Sequence, residues 1–300
     1  MLKRLLSTLR VWLSARARAL RARRMTRRPI RRATGARGSV SMITSNYRNA
    51  DTFGLMLRRW IEFAGGKPFE VVVTDGGADQ ASFASYGALL QEGLIDKLYA
   101  MRPDHPENSR ATCFVQEFYS GVMASAEYLF FFKTDTIPFR RGHDRWMEEY
   151  IEILAGDPGV FAITGSSPGP GFLGPVDDRF WCLEHTSMNF ALMRREHHVD
   201  AMRPCWDFWR SGWRGVNPFL SIGPTAARCM IESAWDVYCR KRGLRVLMEK
   251  EDATWSVFHT NARGAELLRL CERARNREGL EPFYNRAGPF FLEKNLPRNG

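Results

Sequence analysis

The clearest hydrophobic pattern in the chain is an apolar run over Glu127–Pro138 that ends at a single carboxylate, Asp135. A run this apolar is typical of a strand that is buried on both faces of a sheet. In open α/β sheets, ligands bind just beyond the carboxyl ends of such strands. The pattern therefore predicts that Asp135 meets a metal ion or a substrate phosphate. The alternative is a structural carboxylate that caps the turn before Pro138.

Two earlier runs have the same form. Phe69–Thr74 is rich in β-branched residues and stops at an acidic turn that begins with Asp75, and Ser39–Thr44 leads to Asn46. Between them, the apolar residues at positions 53, 56, 57, 60 and 61 have the spacing of an amphipathic helix. Strand, helix, strand is a βαβ unit, so the pattern predicts an α/β fold.

The second half of the chain continues this alternation. A helix is predicted over Ala226–Gly243, because it ends in a glycine and carries cations in its last turn, where the helix dipole favours them. The segment from Ser166 to Pro175 is too rich in Gly and Pro to be helical and predicts a loop. The predicted strands are Gly159–Gly165, Thr186–Arg194, Leu244–Met248 and Ala253–Asn261.

The composition agrees with one large core. The chain has 300 residues, of which 44% are hydrophobic and 12% aromatic, which is enough for a single α/β domain. Its six cysteines have no C-x-x-C spacing and several lie in apolar segments. They predict reduced thiols and a cytoplasmic protein.

The net charge of +11 is concentrated at the amino terminus. Residues 1–37 contain thirteen Lys or Arg and no acid, whereas the remainder carries 31 basic and 33 acidic side chains. A surface for nucleic acid would therefore have to be this segment alone, and no RNA-binding motif accompanies it. The sequence predicts no nucleic-acid partner.

The first 28 residues have the pattern of an interfacial helix. Their leucines fall mostly on one helical face and their basic residues on the other, which predicts reversible binding to an anionic membrane surface at the cytoplasmic face. No run is long enough to span a membrane. Arg10 interrupts any secretory signal, while a mitochondrial transit peptide and a true start at Met25 remain alternatives. Residues 21–38 are predicted to be a disordered basic linker.

Over residues 39–261 the chain resembles the large inverting family of glycosyltransferases with the GT-A fold. In that family the first strand ends in Thr or Ser near an Asn, the next ends in an Asp that holds the nucleoside, and a later one ends in an Asp-x-Asp that binds a divalent metal on the diphosphate. Thr44 with Asn46, Asp75, and Asp135 stand at those places. The resemblance implies a Rossmann-like, mostly parallel mixed sheet with helices on both faces, and a nucleotide-sugar donor.

The metal motif departs from the family at Lys133, which stands where the first Asp is usual. One carboxylate can still bind Mn²⁺ or Mg²⁺, because these ions take the rest of their shell from water and phosphates. Lys133 could instead neutralise the diphosphate directly. Many GT-A enzymes complete the site with a histidine near the position of His259, which with Asp135 would provide a nitrogen and an oxygen ligand. The alternative for His259 is a hydrogen-bonded structural residue.

Candidates for the chemistry lie on the helix predicted after residue 226. An inverting transfer needs a carboxylate near the incoming hydroxyl, and Glu232 is the predicted base with Asp236 in reserve. The alternative for Asp236 is an i, i+4 surface pair with Arg240. Three tryptophans are candidates for stacking on an acceptor sugar, or else for packing one helix face against the core: Trp206, Trp209 and Trp213.

The combined prediction is a glycosyltransferase that moves a sugar, typically a hexose, to an acceptor hydroxyl on a glycan, lipid or protein. Residues 1–38 are predicted to form the basic helix and linker, 39–140 the nucleotide half, 141–262 the acceptor half and 263–300 an extension. In the resembling family a Glu-Asp pair opens the helix that carries the base, and here the pair reads Glu232–Ser233. The alternative is an inactive relative that binds nucleotide or glycan, which Lys133 and Ser233 favour. A nucleotidyltransferase is a third possibility, but the chain lacks the glycine-rich, Lys-containing phosphate loop expected of one after the first strand.

Overall fold

The computed structural model describes residues 13, 15–17, 19–47, 50–100, 112–165, 171–210, 230–252, 254–260 and 262–276. At some of these positions it describes the backbone alone, namely residues 50, 51, 112–115, 205–210, 230, 258, 275 and 276. The strands are β1 Val40–Asn46, β2 Glu70–Asp75, β3 Lys97–Ala100, β4 Tyr128–Phe132, β5 Thr136–Arg140, β6 Val160–Gly165, β7 Phe172–Pro175, β8 Phe180–Leu183, β9 Phe190–Arg194, β10 Arg245–Glu249 and β11 Trp255–His259. The helices are α1 (residues 19–26), α2 Ala50–Ala64, α3 Gln80–Gln91, α4 Thr112–Met123, α5 Trp146–Gly156, α6 Arg195–Arg210, α7 Met230–Arg242 and α8 Gly264–Asn276.

The main sheet has the strand order β3-β2-β1-β4-β9-β6-β10-β8-β7. Strands β1, β2, β3, β4, β6 and β10 all run in one direction, while β9 is antiparallel to both of its neighbours. The carboxyl ends of the parallel strands therefore meet along one edge. The prediction of a mostly parallel mixed sheet is confirmed.

Strand β4 shows why the sheet forms. Its five side chains are at most 3% exposed and alternate between the two faces, so each contributes roughly 1.5–3 kcal/mol by burial. Tyr128, Phe130 and Phe132 join one core, which includes side chains of α2 and α5. Leu129 and Phe131 join the other core, which includes side chains of α6 and α7. Helices thus cover both faces, and a continuous apolar run is the expected sequence of such a strand.

A small second sheet brings the end of the chain back to the end of β4. Strands β5 and β11 pair antiparallel, with His259 opposite Thr136. The backbone N–H of Thr260 donates to the carbonyl of Asp135 at 3.0 Å. This pairing fixes His259 beside Asp135 although the two are far apart in sequence.

The predicted disordered linker over residues 21–38 is wrong. The N-terminal strap, which we define as residues 21–37, docks at the amino-terminal ends of β6 and β10. Arg245 donates to the carbonyls of Met25, Arg28 and Pro29, with 3.1 Å to Met25 and 3.0 Å to Pro29. Met25 is buried, at 5% exposure. The buried guanidinium of Arg245 takes three of its acceptors from this backbone and one from Asp157. A prediction of disorder from composition does not take such contacts into account.

Several predicted boundaries shift. The strand expected over Thr186–Arg194 begins only at Phe190, and part of the expected glycine-rich loop forms the short edge strand β7. Residues 226–229 of the expected helix lie outside the described residues, as do 1–12 and 277–300. The described helices include none that is long and apolar enough to cross a membrane.

Candidate active site

A cavity of about 310 Å³ opens where the carboxyl ends of β1 and β4 meet. Its position follows from the sheet: parallel strands end at one edge, and polar residues that follow them line the opening. The lining residues are Ser45, Asn46, Tyr47, Gln116, Glu117, Lys133, Thr134, Asp135, Asn189, His259 and Arg263.

Asp135 and His259 form the candidate metal pair. The Nε2 atom of His259 lies 3.5 Å from Oδ2 of Asp135. Burial alone would raise the pKa of Asp135, but the hydrogen bond and charge of His259, together with Lys133, hold it below its ordinary value. Ionised carboxylate and imidazole suit Mn²⁺, which leaves other positions for water and phosphate. Within the described ranges, no three His, Cys, Asp or Glu side chains converge on one metal position.

Lys133 lies in the same wall and is paired with a carboxylate that the sequence patterns did not reveal. Its ammonium contacts Glu117 of α4 and lies 2.7 Å from the hydroxyl of Ser45, which donates to the same carboxylate at 2.9 Å. Glu117 is 7% exposed. The signal that could have found it is an acid in an otherwise largely apolar helix. The cavity thus holds a second carboxylate, supplied by a helix instead of the strand end.

Asp75 lies beneath the cavity wall with both oxygens engaged. The hydroxyl of Tyr86 donates to Oδ2, the N–H of Gly77 donates to Oδ1 at 2.8 Å, and Asn46 donates to Tyr86 at 2.7 Å. Burial raises the pKa of Asp75 against these hydrogen bonds. Thr44 is likewise buried and donates to the carbonyl of Phe132 at 2.8 Å. Of the predicted nucleoside residues, the structure brings Asn46 to the cavity wall.

Tyr47 was missed in the sequence and stands directly after Asn46. It lines the cavity and is 47% exposed. A large ring exposed at a cavity mouth offers a face on which a planar group can stack. The only sequence signal was its place one residue beyond β1.

Glu232 lies beside the cavity near the start of α7. Its Oε1 accepts the backbone N–H of Met188 at 2.8 Å, and the next residue, Asn189, lines the cavity. Burial, followed in smaller measure by the charge of Glu117, raises the pKa of Glu232, while His185 opposes the rise. A carboxyl group of raised pKa beside a cavity is a better proton acceptor than an ordinary carboxylate and is therefore a candidate base.

Asp236, one turn further along α7, pairs with His185. The Nδ1 atom of His185 lies 2.8 Å from Oδ2 of Asp236, and its Nε2 lies 3.7 Å from Oε2 of Glu232. His185 was not singled out in the sequence, because a single histidine between two strands carries no periodic signal. The structure therefore links both predicted acids through an unpredicted imidazole.

The acceptor candidates remain predictions. Trp206 and Trp209 fall on the described backbone of α6, but their side chains lie outside the described residues, and so does Trp213.

The strand order and the site at the ends of β1 and β4 define the chain as a GT-A fold. It is similar to the mannosyltransferase PcManGT from Pyrobaculum calidifontis, solved in complex with GDP-Man and Mn²⁺, with a TM-score of 0.50 and 15% identity over 91% of this chain and 73% of that chain. It is also similar to GalNAc-T7 solved with UDP, GalNAc and Mn²⁺, with a TM-score of 0.49 and 10% identity over 83% and 51%. No known protein-family profile and no curated protein matches the sequence. The predicted GT-A fold is confirmed.

Proposed function

We propose that the protein is a glycosyltransferase that moves a sugar from a nucleoside diphosphate donor to an acceptor hydroxyl, with inversion and with the help of a divalent metal. The observation that carries the proposal is the cavity at the carboxyl edge, where Asp135 and His259 meet and Glu232 stands at the side. A metal pair and a separate carboxylate of raised pKa are the groups that such a transfer needs.

Asp135 and His259 would hold the ion through one oxygen and one nitrogen. A bound divalent ion would stabilise the charge that develops on the departing diphosphate. Lys133 stands in the same wall and adds a positive charge toward the phosphates once a ligand competes for it with Glu117. The ammonium of Lys133 and the metal ion would thus both stabilise the negative charge of the diphosphate. With this second positive charge, the site would need only one carboxylate at the end of β4.

The nucleoside half of the donor would occupy the end of the cavity near β1. Asn46 offers its amide to a ribose or base edge, and the exposed ring of Tyr47 offers a stacking face. Asp75 holds Asn46 in place through Tyr86. The sequence-based assignment of Asp75 to the nucleoside thus becomes an indirect role, in which Asp75 positions Asn46. Thr44 donates to the carbonyl of Phe132 instead, beneath the site.

Glu232 would act as the base. As the acceptor oxygen attacks the anomeric carbon, the bond from that carbon to the diphosphate oxygen breaks, and the acceptor proton passes to Glu232. A positioned base typically contributes a factor of about 10²–10⁴. Attack opposite the leaving group gives inversion. Asp236 faces His185, so it supports Glu232 in this scheme and does not replace it.

The acceptor side and the membrane partner extend the proposal. Trp206, Trp209 and Trp213 are the candidates for stacking on an acceptor sugar. Exposed arginines of the strap and of α1 would face an anionic lipid surface, where each adds about 1 kcal/mol of attraction. Such a surface fits a lipid-linked acceptor and a peripheral position at the cytoplasmic face.

The test is nucleotide binding by the full chain. Thermal unfolding is measured with GDP, UDP, dTDP and CMP, each with Mn²⁺ or with EDTA, beginning with GDP because PcManGT was solved with GDP-Man. A nucleotide at 100 times its Kd stabilises by about 2.7 kcal/mol. We expect one nucleotide to stabilise the protein only with metal, and the gain to disappear in Asp135→Ala but persist in Asp144→Ala, whose side chain is 86% exposed. Stabilisation by none of them would refute the proposal.

The second candidate is an inactive GT-A relative that binds nucleotide or glycan. The observation that favours it is the contact of Lys133 with Glu117, which occupies the place of the first motif carboxylate with an ion pair. Nucleotide binding without sugar transfer or donor hydrolysis, measured by release of nucleoside diphosphate, would select this candidate.

A further inference from the structure

Three side chains form a line that leads away from the cavity: Glu232, His185 and Asp236. The imidazole lies between the two carboxylates, 2.8 Å from Asp236 through Nδ1 and 3.7 Å from Glu232 through Nε2. The side chains are 22%, 27% and 18% exposed, so each is partly but not fully screened from bulk water. The arrangement places one potential cation between two acids.

The backbone fixes the line at each end. Met188 donates its N–H to Oε1 of Glu232 at 2.8 Å, which leaves Oε2 on the side of His185. Thr186 directs its N–H at Oδ1 of Asp236 from 3.4 Å, which leaves Oδ2 for the imidazole. Gly171 packs so close that a Cβ there would lie 3.0 Å from Cβ of His185. These contacts hold the two carboxylates and the backbone of His185 in place.

We propose that His185 is a positioning residue that Asp236 holds in its cationic form, so that Glu232 stays an aimed carboxylate at neutral pH. The inference rests on the proposed function, because it gives Glu232 the role of base. An imidazolium between two carboxylates leaves the group with one net negative charge, located on the acid nearest the cavity. Without the cation, two neighbouring acids in a half-buried site would share a proton instead.

The surrounding charges agree with this role. The groups that act on His185 are Asp236 and Glu232 of α7; burial lowers its pKa, but these two acids raise it above the ordinary value. The negative charge of Glu117 in α4 also acts on Glu232 and favours the protonated form of Glu232. His185 is thus the cation that offsets burial and two acids at Glu232.

The decisive variant pair is His185→Gln and His185→Lys, made in the full chain and assayed from pH 6 to pH 9. In H185Q the acidic limb of kcat/KM should move upward, with a loss of about tenfold at pH 6.5 that becomes smaller as the pH rises toward 9. H185K restores a cation and should recover much of the loss at pH 6.5. The KM for the donor should change less than about twofold, because His185 does not line the cavity.

The matched control is His197→Gln, since His197 contacts Tyr238 outside this cluster and its substitution should leave the profile unchanged. An equal loss in H185Q at all pH values would overturn the proposal, because a merely structural role behaves in that way. An unchanged profile would overturn it as well.

A titration of the imidazole by NMR separates this inference from the proposed function. The pKa of His185 should lie above that of a free imidazole in the wild type and should fall in Glu232→Gln. A titration that does not respond to E232Q overturns the inference even where donor binding is intact. Failure of every nucleotide to stabilise the wild type would refute the proposed function, and the positioning role of His185 with it.

Discussion

Charged side chains lie at both ends of the parallel strands, which we call the amino-terminal and the carboxyl-terminal edge of the main sheet. The two groups differ in how far they are exposed to solvent. At the amino-terminal edge, Arg245 and Asp157 are both 0% exposed and meet at 2.7 Å, and Arg28 closes the other side of the carboxylate. At the carboxyl-terminal edge, Asp135 is 31% exposed and faces a cavity. The first cluster pairs its charges within the protein and holds the strap in place, although Nε of Arg245 has no hydrogen-bond partner. The second is open, which is the state expected of charges that await a substrate.

The first test of this difference is Asp135→Asn at the open, carboxyl-terminal edge. Loss of the carboxylate should lower the rate of sugar transfer at least about 10³-fold, since a metal ion at the diphosphate is worth several kcal/mol and each 1.36 kcal/mol is tenfold. The free energy of unfolding should change by less than about 1 kcal/mol, because an open site contributes little to folding. The measurements are kcat/KM and urea denaturation. A drop of less than tenfold, or an equal drop in D144N, would contradict an open metal site.

The second is Arg245→Met at the closed edge. Breaking a buried pair from one side costs about 3–5 kcal/mol, and we expect about 3 kcal/mol because Asp157 keeps Arg28 and the N–H of Gly159 as partners. The strap also loses donors to three of its carbonyls, so tryptic cleavage within residues 23–37 should accelerate. Arg58→Met is the control, since the Arg58–Glu92 pair is about half exposed. Equal unfolding free energies for R245M and R58M would show that the edge is not closed.

The two edges also differ in how far the sequence predicts them. Asp135 follows the most apolar run of the chain, and β11 ends at His259, so both could be placed at strand ends from local patterns. The closed cluster depends on contacts such as Arg245 with Met25, which are 220 residues apart, and nothing local says which arginine meets which carbonyl. The same reason hides Glu117 and His185. Periodicity predicts which face is buried, but it does not predict which polar groups meet there.

A buried histidine of α6 extends the comparison to pH. His198 is 0% exposed and accepts a hydrogen bond from Trp235, and burial lowers its pKa to about 3 from the usual 6.5. The folded protein keeps His198 neutral where the unfolded chain binds a proton, so its stabilisation is complete above pH 6.5 and is lost as the pH falls toward 3. At pH 5 the loss should be about 2 kcal/mol. Urea denaturation at pH 7 and pH 5 should show this difference in the wild type but not in His198→Gln; a similar loss in both would contradict it.

The smallest effect separates the two arginines of the closed cluster. Arg28 is 37% exposed at its side chain, whereas Arg245 is not exposed, although both lie 2.7 Å from Asp157. Arg28→Met should therefore cost about 1 kcal/mol or less, and its carbonyl would still accept from Arg245. Because salt screens exposed pairs and barely reaches buried ones, 1 M NaCl should shrink the cost of R28M and leave that of R245M unchanged. Equal salt dependence in the two variants would mean that water reaches Asp157, and the amino-terminal edge would then be as open as the carboxyl-terminal one.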